Sequence, residues 1–304
     1  MFSDNIIYIG GAKKWQNFYS TVEFKSVNNN KTCPIQSLHH ELAEHASVVT
    51  SIGVITCGGE SPNFIRRNEC IRLTDKNTWD PFPSIPSVKE GGVVHDMVVV
   101  GDVLVALVFI GYGGFDYLIE KINWRNGETW QSNKINRRFF QPCITAWDDE
   151  NIFIIGGFNK RFDKRSKIKN ETWILNIATN TMKQGPSLNI ARVHHGCANI
   201  RNDSIIVAGG FPLYESTEIL KIGDLEWKRG PDLKEGVTAN KVVKSNLEDY
   251  VAYSIGGNNW YGTSLSEIYG LQRDMNEWQL IDNMNEPRMW GTALNIPSSL
   301  IPWC

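Results

Sequence analysis

Six glycine doublets, each at the end of a short apolar run, constrain this chain more than any other feature of its sequence. They begin at residues 10, 58, 113, 156, 209 and 256, at intervals of 43 to 55 residues. The run IIVAGG, residues 205–210, is typical of them. A recurring period of this length indicates one supersecondary unit repeated along the chain. We therefore expect residues 1–304 to form a single domain built as one repeat array.

Each repeat has the pattern of four β-strands. Its β-branched and aromatic residues lie in runs of four to eight between Gly, Pro, Asn and Asp, and no stretch has a helical period. In the fifth repeat the strands are predicted around ARVHHGCANI, SIIVAGG, STEILKI and EWKRGP. Four antiparallel strands in a unit of about 50 residues are typical of a β-propeller blade, so the predicted fold class is all-β.

The two ends of the chain predict how the propeller closes. The first repeat begins at its second strand, whereas PRMWGTALNI, residues 287–296, has the pattern of an unpaired first strand. Pairing these two segments leaves no sheet edge open. We expect a six-bladed propeller whose C-terminal strand pairs into the N-terminal blade.

These motifs resemble the kelch-repeat family, whose blade has an Arg, a small-residue strand, an apolar strand ending in Gly-Gly, and later a turn ending in Trp. Trp79, Trp130, Trp227 and Trp278 occupy the Trp position, and Cys33 and Met182 replace it in repeats one and four. The chain is similar to the kelch domain of BTB-kelch substrate adaptors, without the BTB and BACK regions. The resemblance implies a protein-interaction scaffold, either the substrate-recognition part of a ubiquitin-ligase adaptor or an actin binder of the cytoskeleton.

Composition and charge indicate the cellular compartment and the classes of partner that we expect. A net charge of −2 gives no chain-wide attraction to nucleic acid, so no nucleic-acid partner is expected. The N-terminal segment lacks a secretory pattern and no apolar run approaches the length of a membrane span, which predicts a cytoplasmic protein with no membrane partner. The six cysteines form no C-x-x-C pair, and we expect reduced thiols, mostly in the core.

A four-stranded meander sorts the loops onto two faces. The loops after each doublet and the segments leading into each first strand lie on one face, which we call the Gly-Gly face. The turns between first and second strands lie on the opposite face, which we call the acidic face because of the residues it carries. These are Asp102, Asp148, Asp149, Glu150, Asp203, Glu248 and Asp249.

Basic and aromatic residues converge on the Gly-Gly face. Kelch domains that recruit substrates bind a peptide through the residues after Gly-Gly and the Arg before the first strand, and the resemblance implies the same here. The residues carried over are Trp15, Phe115, Phe158, Phe211, Asn258, Arg138, Arg192 and Arg288. The predicted partner-binding set also contains Lys160, Arg161, Tyr214, Lys234, Trp260, Tyr261 and Trp290. Because aromatic residues and arginine dominate protein-binding hot spots, and arginine grips carboxylates, we expect an acidic peptide segment as the ligand.

Catalytic signals are weak, so we expect no enzyme, no catalytic residue, no metal site and no cofactor. His40 and His45 are five residues apart, one too many for a zinc-binding helix, and His194 and His195 are adjacent in a predicted strand. The alternative is a kelch-type enzyme such as a sugar mutarotase. Its pocket would be lined by Arg138, Arg192 and Arg288 at the mouth of the channel.

Overall fold

Six antiparallel sheets stand around a central channel in the computed structural model, which describes residues 4–27, 31–89, 92–110, 116–130, 133–135, 139–158, 167–201 and 203–304. The inner strands of neighbouring sheets contact each other around the whole ring. The predicted six-bladed, all-β propeller is therefore confirmed. No helix in these ranges is long and apolar enough to cross a bilayer.

The strands of each blade are given from the channel outward. Blade 1 contains Thr292–Asn295, Asn5–Ile9 and Val22–Ser26, and blade 2 contains Ala46–Thr50, Gly53–Cys57, Cys70–Leu73 and Trp79–Phe82. Blade 3 contains Val93–Val100, Val103–Ile110, Asp116–Asn123 and Asn133–Ile135, and blade 4 contains Cys143–Ala146, Asn151–Ile155, Thr172–Asn176 and Met182–Gln184. Blade 5 contains Gly196–Ile200, Ser204–Ala208, Thr217–Lys221 and Lys228–Arg229, and blade 6 contains Lys241–Lys244, Tyr250–Ile255, Glu267–Gln272 and Trp278–Asn283.

Short elements decorate the loops between these strands. Two small hairpins pair Ala12–Lys14 with Asn17–Phe18 and Glu60–Ser61 with Ile65–Arg66. One helical turn spans Pro86–Lys89, and 3-10 turns span Pro62–Phe64 and Ser298–Leu300. Both hairpins follow a glycine doublet, so they extend the Gly-Gly face.

The ring is closed by the C-terminal strand, as predicted. Thr292–Asn295 pairs antiparallel with Asn5–Ile9, and Ile6 lies opposite Asn295. Blade 1 is therefore built from both ends of the chain. Among the described residues it has three strands rather than the four that the repeat pattern predicts.

The hydrophobic core is divided into six clusters, each between two adjacent blades. Ile55 of blade 2 packs with Leu104 of blade 3, and Tyr253 of blade 6 packs with Ile6 of blade 1. All four side chains are almost completely buried. Since apolar burial is the main favourable term in folding, each blade depends on both neighbours for its stability.

Three of the predicted tryptophans join one blade to the previous one. Trp79, Trp227 and Trp278 are buried at the start of their outer strands. Their indole N–H groups donate to the carbonyl oxygens of Gln36 at 2.8 Å, Pro186 at 2.8 Å and Pro231 at 3.1 Å. Each ring thus fills the gap between two sheets and satisfies its one polar atom across that gap.

Blade 3 departs from this arrangement, and the assignment of Trp130 is wrong. Trp130 is 38% exposed, whereas the buried tryptophan of this blade is Trp124, whose indole donates to Gly101 O at 3.0 Å. Ile122 lies opposite Thr129, just as Leu271 lies opposite Trp278 in blade 6, so Trp130 is one residue past the Trp position. Because successive side chains of a strand point to opposite faces, that shift of one residue turns Trp130 away from the core.

The glycine doublets are required by backbone shape and by a close neighbour. Gly10 and Gly11 have φ values of 55° and 89°, which favour glycine. A Cβ atom on Gly10 would lie 2.5 Å from Leu42 O, and one on Gly11 would lie 2.9 Å from Met289 O. The N–H of Gly11 donates to Leu42 O at 2.8 Å, so the segment that leads into blade 2 packs directly against the doublet of blade 1.

The expectation of reduced thiols is wrong, because the structure pairs all six cysteines as disulfides. Cys33 pairs with Cys304, Cys57 with Cys70 and Cys143 with Cys197. The first bond joins blade 1 to the C-terminus, the second joins neighbouring strands of blade 2, and the third joins the inner strands of blades 4 and 5. Two of these pairs are 271 and 54 residues apart, so local spacing could not indicate them.

We expect no cysteine of the unreduced, denatured protein to react with iodoacetamide, because a disulfide carries no thiol. Mass spectrometry of a non-reduced digest should recover the three linked peptide pairs given above. After treatment with dithiothreitol, all six cysteines should be alkylated, which is the control for access. Six alkylated cysteines before reduction would contradict the disulfide assignment.

Candidate functional site

Three aromatic side chains form one cluster on the Gly-Gly face. Trp15 follows the doublet of blade 1, Phe64 follows that of blade 2, and Trp290 lies just before the inner strand of blade 1. The ring centroid of Trp15 is 5.5 Å from that of Phe64 and 5.5 Å from that of Trp290. Such distances are typical of interacting aromatic pairs, so the three rings stabilise one another at the surface.

Four more aromatic side chains form a second cluster, in the loops of blades 5 and 6. Phe211 and Tyr214 have ring centroids 6.0 Å apart, Tyr214 and Trp260 are 6.1 Å apart, and Trp260 and Tyr261 are 6.3 Å apart. Phe211 and Tyr214 follow the fifth doublet, and Trp260 and Tyr261 follow the sixth. The contact between Tyr214 and Trp260 therefore crosses from one blade to the next.

The two clusters occupy four consecutive blades, because blades 5, 6, 1 and 2 are neighbours in the ring. The hydroxyl of Ser264, in the blade 6 loop, donates to Lys13 O in the hairpin of blade 1 and joins the two halves. We call the seven residues together the aromatic arc. Its members are Trp15, Phe64, Phe211, Tyr214, Trp260, Tyr261 and Trp290.

The aromatic arc is exposed to solvent to an unusual degree. Trp260 is 67% exposed, Tyr261 85%, Phe64 55%, Trp15 50% and Phe211 43%. Isolated exposed apolar residues are normal on a protein surface, whereas several in contact with one another indicate a binding surface. Six of the seven belong to the predicted partner-binding set, and the structure brings them together.

Phe64 is the arc residue that the predicted set lacks. It lies in the loop after the second doublet, which is the signal that placed the others on this face. The conformation of its loop is also unusual, because Asn63 and Phe64 both have positive φ values, 65° and 59°. That backbone turns the Phe64 ring towards Trp15 instead of into the core.

The prediction that Arg192 and Arg288 present their guanidinium groups to a partner is wrong. Both side chains are buried, at 1% and 0% exposure. Arg288 donates to the carbonyl oxygens of Gly10 at 2.8 Å and Thr21 at 2.9 Å, and its Nη2 lies 2.7 Å from Glu23 Oε1. The guanidinium therefore fastens the second strand of blade 1 to the third.

Arg192 makes the equivalent contacts in blade 5. It donates to Gly209 O and Ser216 O, each at 2.8 Å, and its Nη2 lies 2.9 Å from Glu218 Oε1. Burial lowers the pKa of this guanidinium, and the Glu218 carboxylate opposes the change. The Arg before the first strand is thus structural in blades 1 and 5, and these two residues form no arginine-lined pocket.

Backbone pairing shows which residue of blade 4 corresponds to these arginines. Phe140 bridges to Phe158 just as Val193 bridges to Phe211 in blade 5. The residue equivalent to Arg192 is therefore Phe139, one position after Arg138. Phe139 is buried, so blade 4 replaces the internal ion pair by apolar packing.

The remaining predicted residues are divided among three situations. Phe158 and Asn258 are half-buried: the Phe158 ring lies 6.3 Å from that of Phe140, and the Asn258 backbone pairs with Thr238. Lys234 is exposed, but its ammonium lies 3.0 Å from Glu277, on the turn before the outer strand of blade 6. Four residues lie outside the described ranges: Phe115, Arg138, Lys160 and Arg161.

Charge on the described part of the Gly-Gly face is mixed. Lys13 and Lys14 are exposed beside Trp15, whereas Glu41 and Glu286 are exposed near the segments that lead into blades 2 and 1. The acidic face is confirmed in its placement, since all seven predicted acids are exposed on turns between first and second strands. The difference between the faces therefore comes mainly from the acidic side.

The aromatic arc borders the mouth of the central channel, a cavity of about 570 Å³. Five residues with left-handed backbone line the mouth at equivalent positions before the inner strands, with φ values between 50° and 57°. They are Glu44, Gln141, His194, Ala239 and Trp290. Because Trp290 belongs to both structures, a ligand bound on the arc would extend over the channel opening.

Neutral imidazoles lie behind this mouth, between the blades. Burial lowers the pKa of His45 and of His195 to about 3, and that of His194 to about 4. His45 Nε2 lies 3.1 Å from Thr292 Oγ1 of blade 1. In the described ranges no group of three His, Cys, Asp or Glu side chains is arranged to hold a metal ion.

Comparison with known proteins gives no relative: no family model matches the chain, and no curated protein matches it significantly. The functional assignment therefore depends on the geometry described above.

Proposed function

We propose that this propeller is a protein-interaction platform that binds a peptide segment of a partner across the aromatic arc. The observation that carries the proposal is the pair of neighbouring clusters in which seven aromatic side chains, five of them at least 43% exposed, lie over four consecutive blades. Trp and Tyr are enriched at binding hot spots because they offer a large rigid area at little entropic cost. The closed ring holds this surface in one conformation, which reduces the cost of binding further.

The chemistry of the partner follows from the arc and from its charged neighbours. Aromatic and aliphatic side chains of the partner would fill the spaces between the rings. Lys13 and Lys14, exposed beside Trp15, favour acidic residues flanking those anchors. The predicted acidic peptide therefore remains the proposed ligand, but its acidic residues bind near Lys13 and Lys14 and not to the buried Arg192 and Arg288. Membership of the kelch family, and the ligase and actin roles that the resemblance implies, stay predictions.

The test is to select binders from a phage-displayed random peptide library and to measure their affinity by calorimetry. We expect peptides with aromatic or aliphatic anchors, and we expect Trp15→Ala and Trp260→Ala each to weaken binding by about tenfold or more, because each removes a large contact area. The matched control is Leu225→Ala, an apolar residue 86% exposed on the turn of blade 5 at the opposite face.

Two outcomes decide different parts of the proposal. If the library yields no peptide, or if Leu225→Ala weakens binding while both tryptophan variants bind normally, the arc is not the binding surface. Reversing both charges, Lys13→Glu with Lys14→Glu, should weaken binding of peptides that carry Asp or Glu. Normal binding of this variant to peptides that carry Asp or Glu would contradict only the acidic component.

A binding role is preferred to a catalytic one, and an oxidising compartment to the cytoplasm. Two of the three arginines of the enzyme alternative, Arg192 and Arg288, are engaged inside blades 5 and 1 and do not line the channel, and the third, Arg138, lies outside the described residues. Three disulfides favour an oxidising compartment, because cytosolic thiols are kept reduced. This replaces the cytoplasmic expectation, and the alkylation experiment above tests its premise.

A further inference from the structure

The central channel contains two opposite charges that do not pair with each other. Four charged residues line it, and two of them are of interest here: Asp96 on the inner strand of blade 3 and Lys241 on the inner strand of blade 6. Blades 3 and 6 face each other across a ring of six. The structure shows no ion pair within 4.0 Å between these two described residues.

Both charges lie in the half of the channel that opens at the Gly-Gly face. Lys241 is the first residue of its strand and pairs with Ile255, just before the sixth doublet. Asp96 is the fourth residue of its eight-residue strand, opposite Leu107, and its carboxylate bonds the N–H of Ile144, the second residue of the inner strand of blade 4, which places it at a similar level. Both therefore lie within reach of a molecule that enters past Trp290.

The Asp96 carboxylate is held in a fixed orientation. Its Oδ1 accepts a hydrogen bond from the Met97 N–H at 3.0 Å, and its Oδ2 accepts one from the Ile144 N–H of blade 4 at 3.2 Å. Each oxygen keeps a further lone pair. Burial raises the pKa of Asp96 and the Lys241 ammonium opposes that rise, so the two groups interact electrostatically across the channel.

The wall of the channel also carries polar atoms that no protein group satisfies. They include Gln141 Oε1 and Asn199 Oδ1. A buried polar atom without a hydrogen-bond partner is unfavourable, so these atoms need water or a ligand in the channel. A cavity of about 570 Å³ is within the size range of small-molecule sites.

We propose that the channel binds a small zwitterionic molecule of the free α-amino acid class, with its carboxylate on Lys241 and its ammonium on Asp96. Charge complementarity selects this class. A simple anion bound to Lys241 would face the Asp96 carboxylate, and a simple cation bound to Asp96 would face the Lys241 ammonium. A molecule that carries both charges compensates each of the two groups.

The test is calorimetric titration of the intact chain with each of the twenty common amino acids. We expect at least one to bind with a dissociation constant below about 1 mM. We expect Lys241→Met and Asp96→Asn each to weaken that binding by about tenfold or more, the loss typical of one charged hydrogen-bonded contact. The matched controls are Lys228→Met and Asp149→Asn, which change an exposed lysine and an exposed aspartate away from the channel.

Ligand derivatives test the same two charges without altering the protein, which covers the case in which a variant fails to fold. The N-acetyl derivative of the bound amino acid loses the ammonium and its methyl ester loses the carboxylate, so both should bind at least about tenfold more weakly. Three results would overturn the proposal: no amino acid binds, the controls weaken binding as much as the channel variants, or the derivatives bind as tightly as the parent compound.

Discussion

Replacing Arg288 by Met is expected to lower the free energy of unfolding by about 3–5 kcal/mol, the usual cost of leaving one member of a buried ion pair without its partner. Arg288 is completely buried, and its guanidinium bonds Gly10 O, Thr21 O and the Glu23 carboxylate. Without it, the hydrogen-bond donors left to Glu23 among the described residues are the backbone N–H groups of Asn285 and Glu286. The measurement is urea-induced unfolding followed by tryptophan fluorescence.

The matched control is Arg125→Met, because Arg125 pairs with Asp102 at 2.8 Å while both side chains are more than half exposed. An exposed pair of this kind contributes less than about 1 kcal/mol. Glu23→Gln combined with Arg288→Met should recover part of the loss, since the uncompensated charge is then gone. Equal unfolding midpoints for Arg288→Met and Arg125→Met would contradict a stabilising role of the buried Arg288–Glu23 ion pair.

Replacing Asp4 by Ala is expected to cost about 3 kcal/mol or more, because several buried hydrogen-bond donors lose a charged acceptor at once. The Asp4 carboxylate accepts hydrogen bonds from Ser245 Oγ, from Asn246 N at 3.0 Å, from Tyr253 OH at 2.8 Å and from Asn295 Nδ2. Three of these partners belong to blade 6 and one to the closing strand. The free energy of unfolding, again from urea titration, measures the effect.

Asp4→Asn should lose less than Asp4→Ala, because the amide keeps one acceptor oxygen. The exposed control is Asp149→Ala on the acidic face, for which we expect a change within about 0.5 kcal/mol. If Asp4→Ala unfolds at the same urea concentration as Asp149→Ala, Asp4 does not hold the two ends of the chain together.

The fold could be predicted from the sequence because one local signal repeats in it. Each of the five doublets within the described residues has left-handed backbone and packs closely against a neighbouring segment, where only glycine fits, so the period of the glycines is the period of the blades. The doublet at 113–114 lies outside the described residues. The same periodicity sorted the loops onto two faces. It therefore placed Trp15, Phe211 and Trp260 on one side before their contacts were known.

The features that sequence could not predict all depend on burial or on distant pairing. Arg192 and Arg288 lie at the expected positions along the chain, but local sequence does not say whether a guanidinium points to solvent or to an internal carboxylate. The Cys33–Cys304 bond joins residues 271 positions apart. Asp96 and Lys241 lie on opposite sides of the channel because blades 3 and 6 are opposite each other, which requires the closed ring.

Hydrogen exchange of the closing strand tests this ring most directly. The amides of Thr292–Asn295 pair with Asn5–Ile9, and we predict that both segments are protected to the same degree as the inner strand Gly196–Ile200 of blade 5. Mass spectrometry of peptides from the native protein, labelled for increasing times, gives all three rates. Exchange of Thr292–Asn295 at the rate of an unstructured peptide, with Gly196–Ile200 still protected, would contradict the closed six-bladed ring.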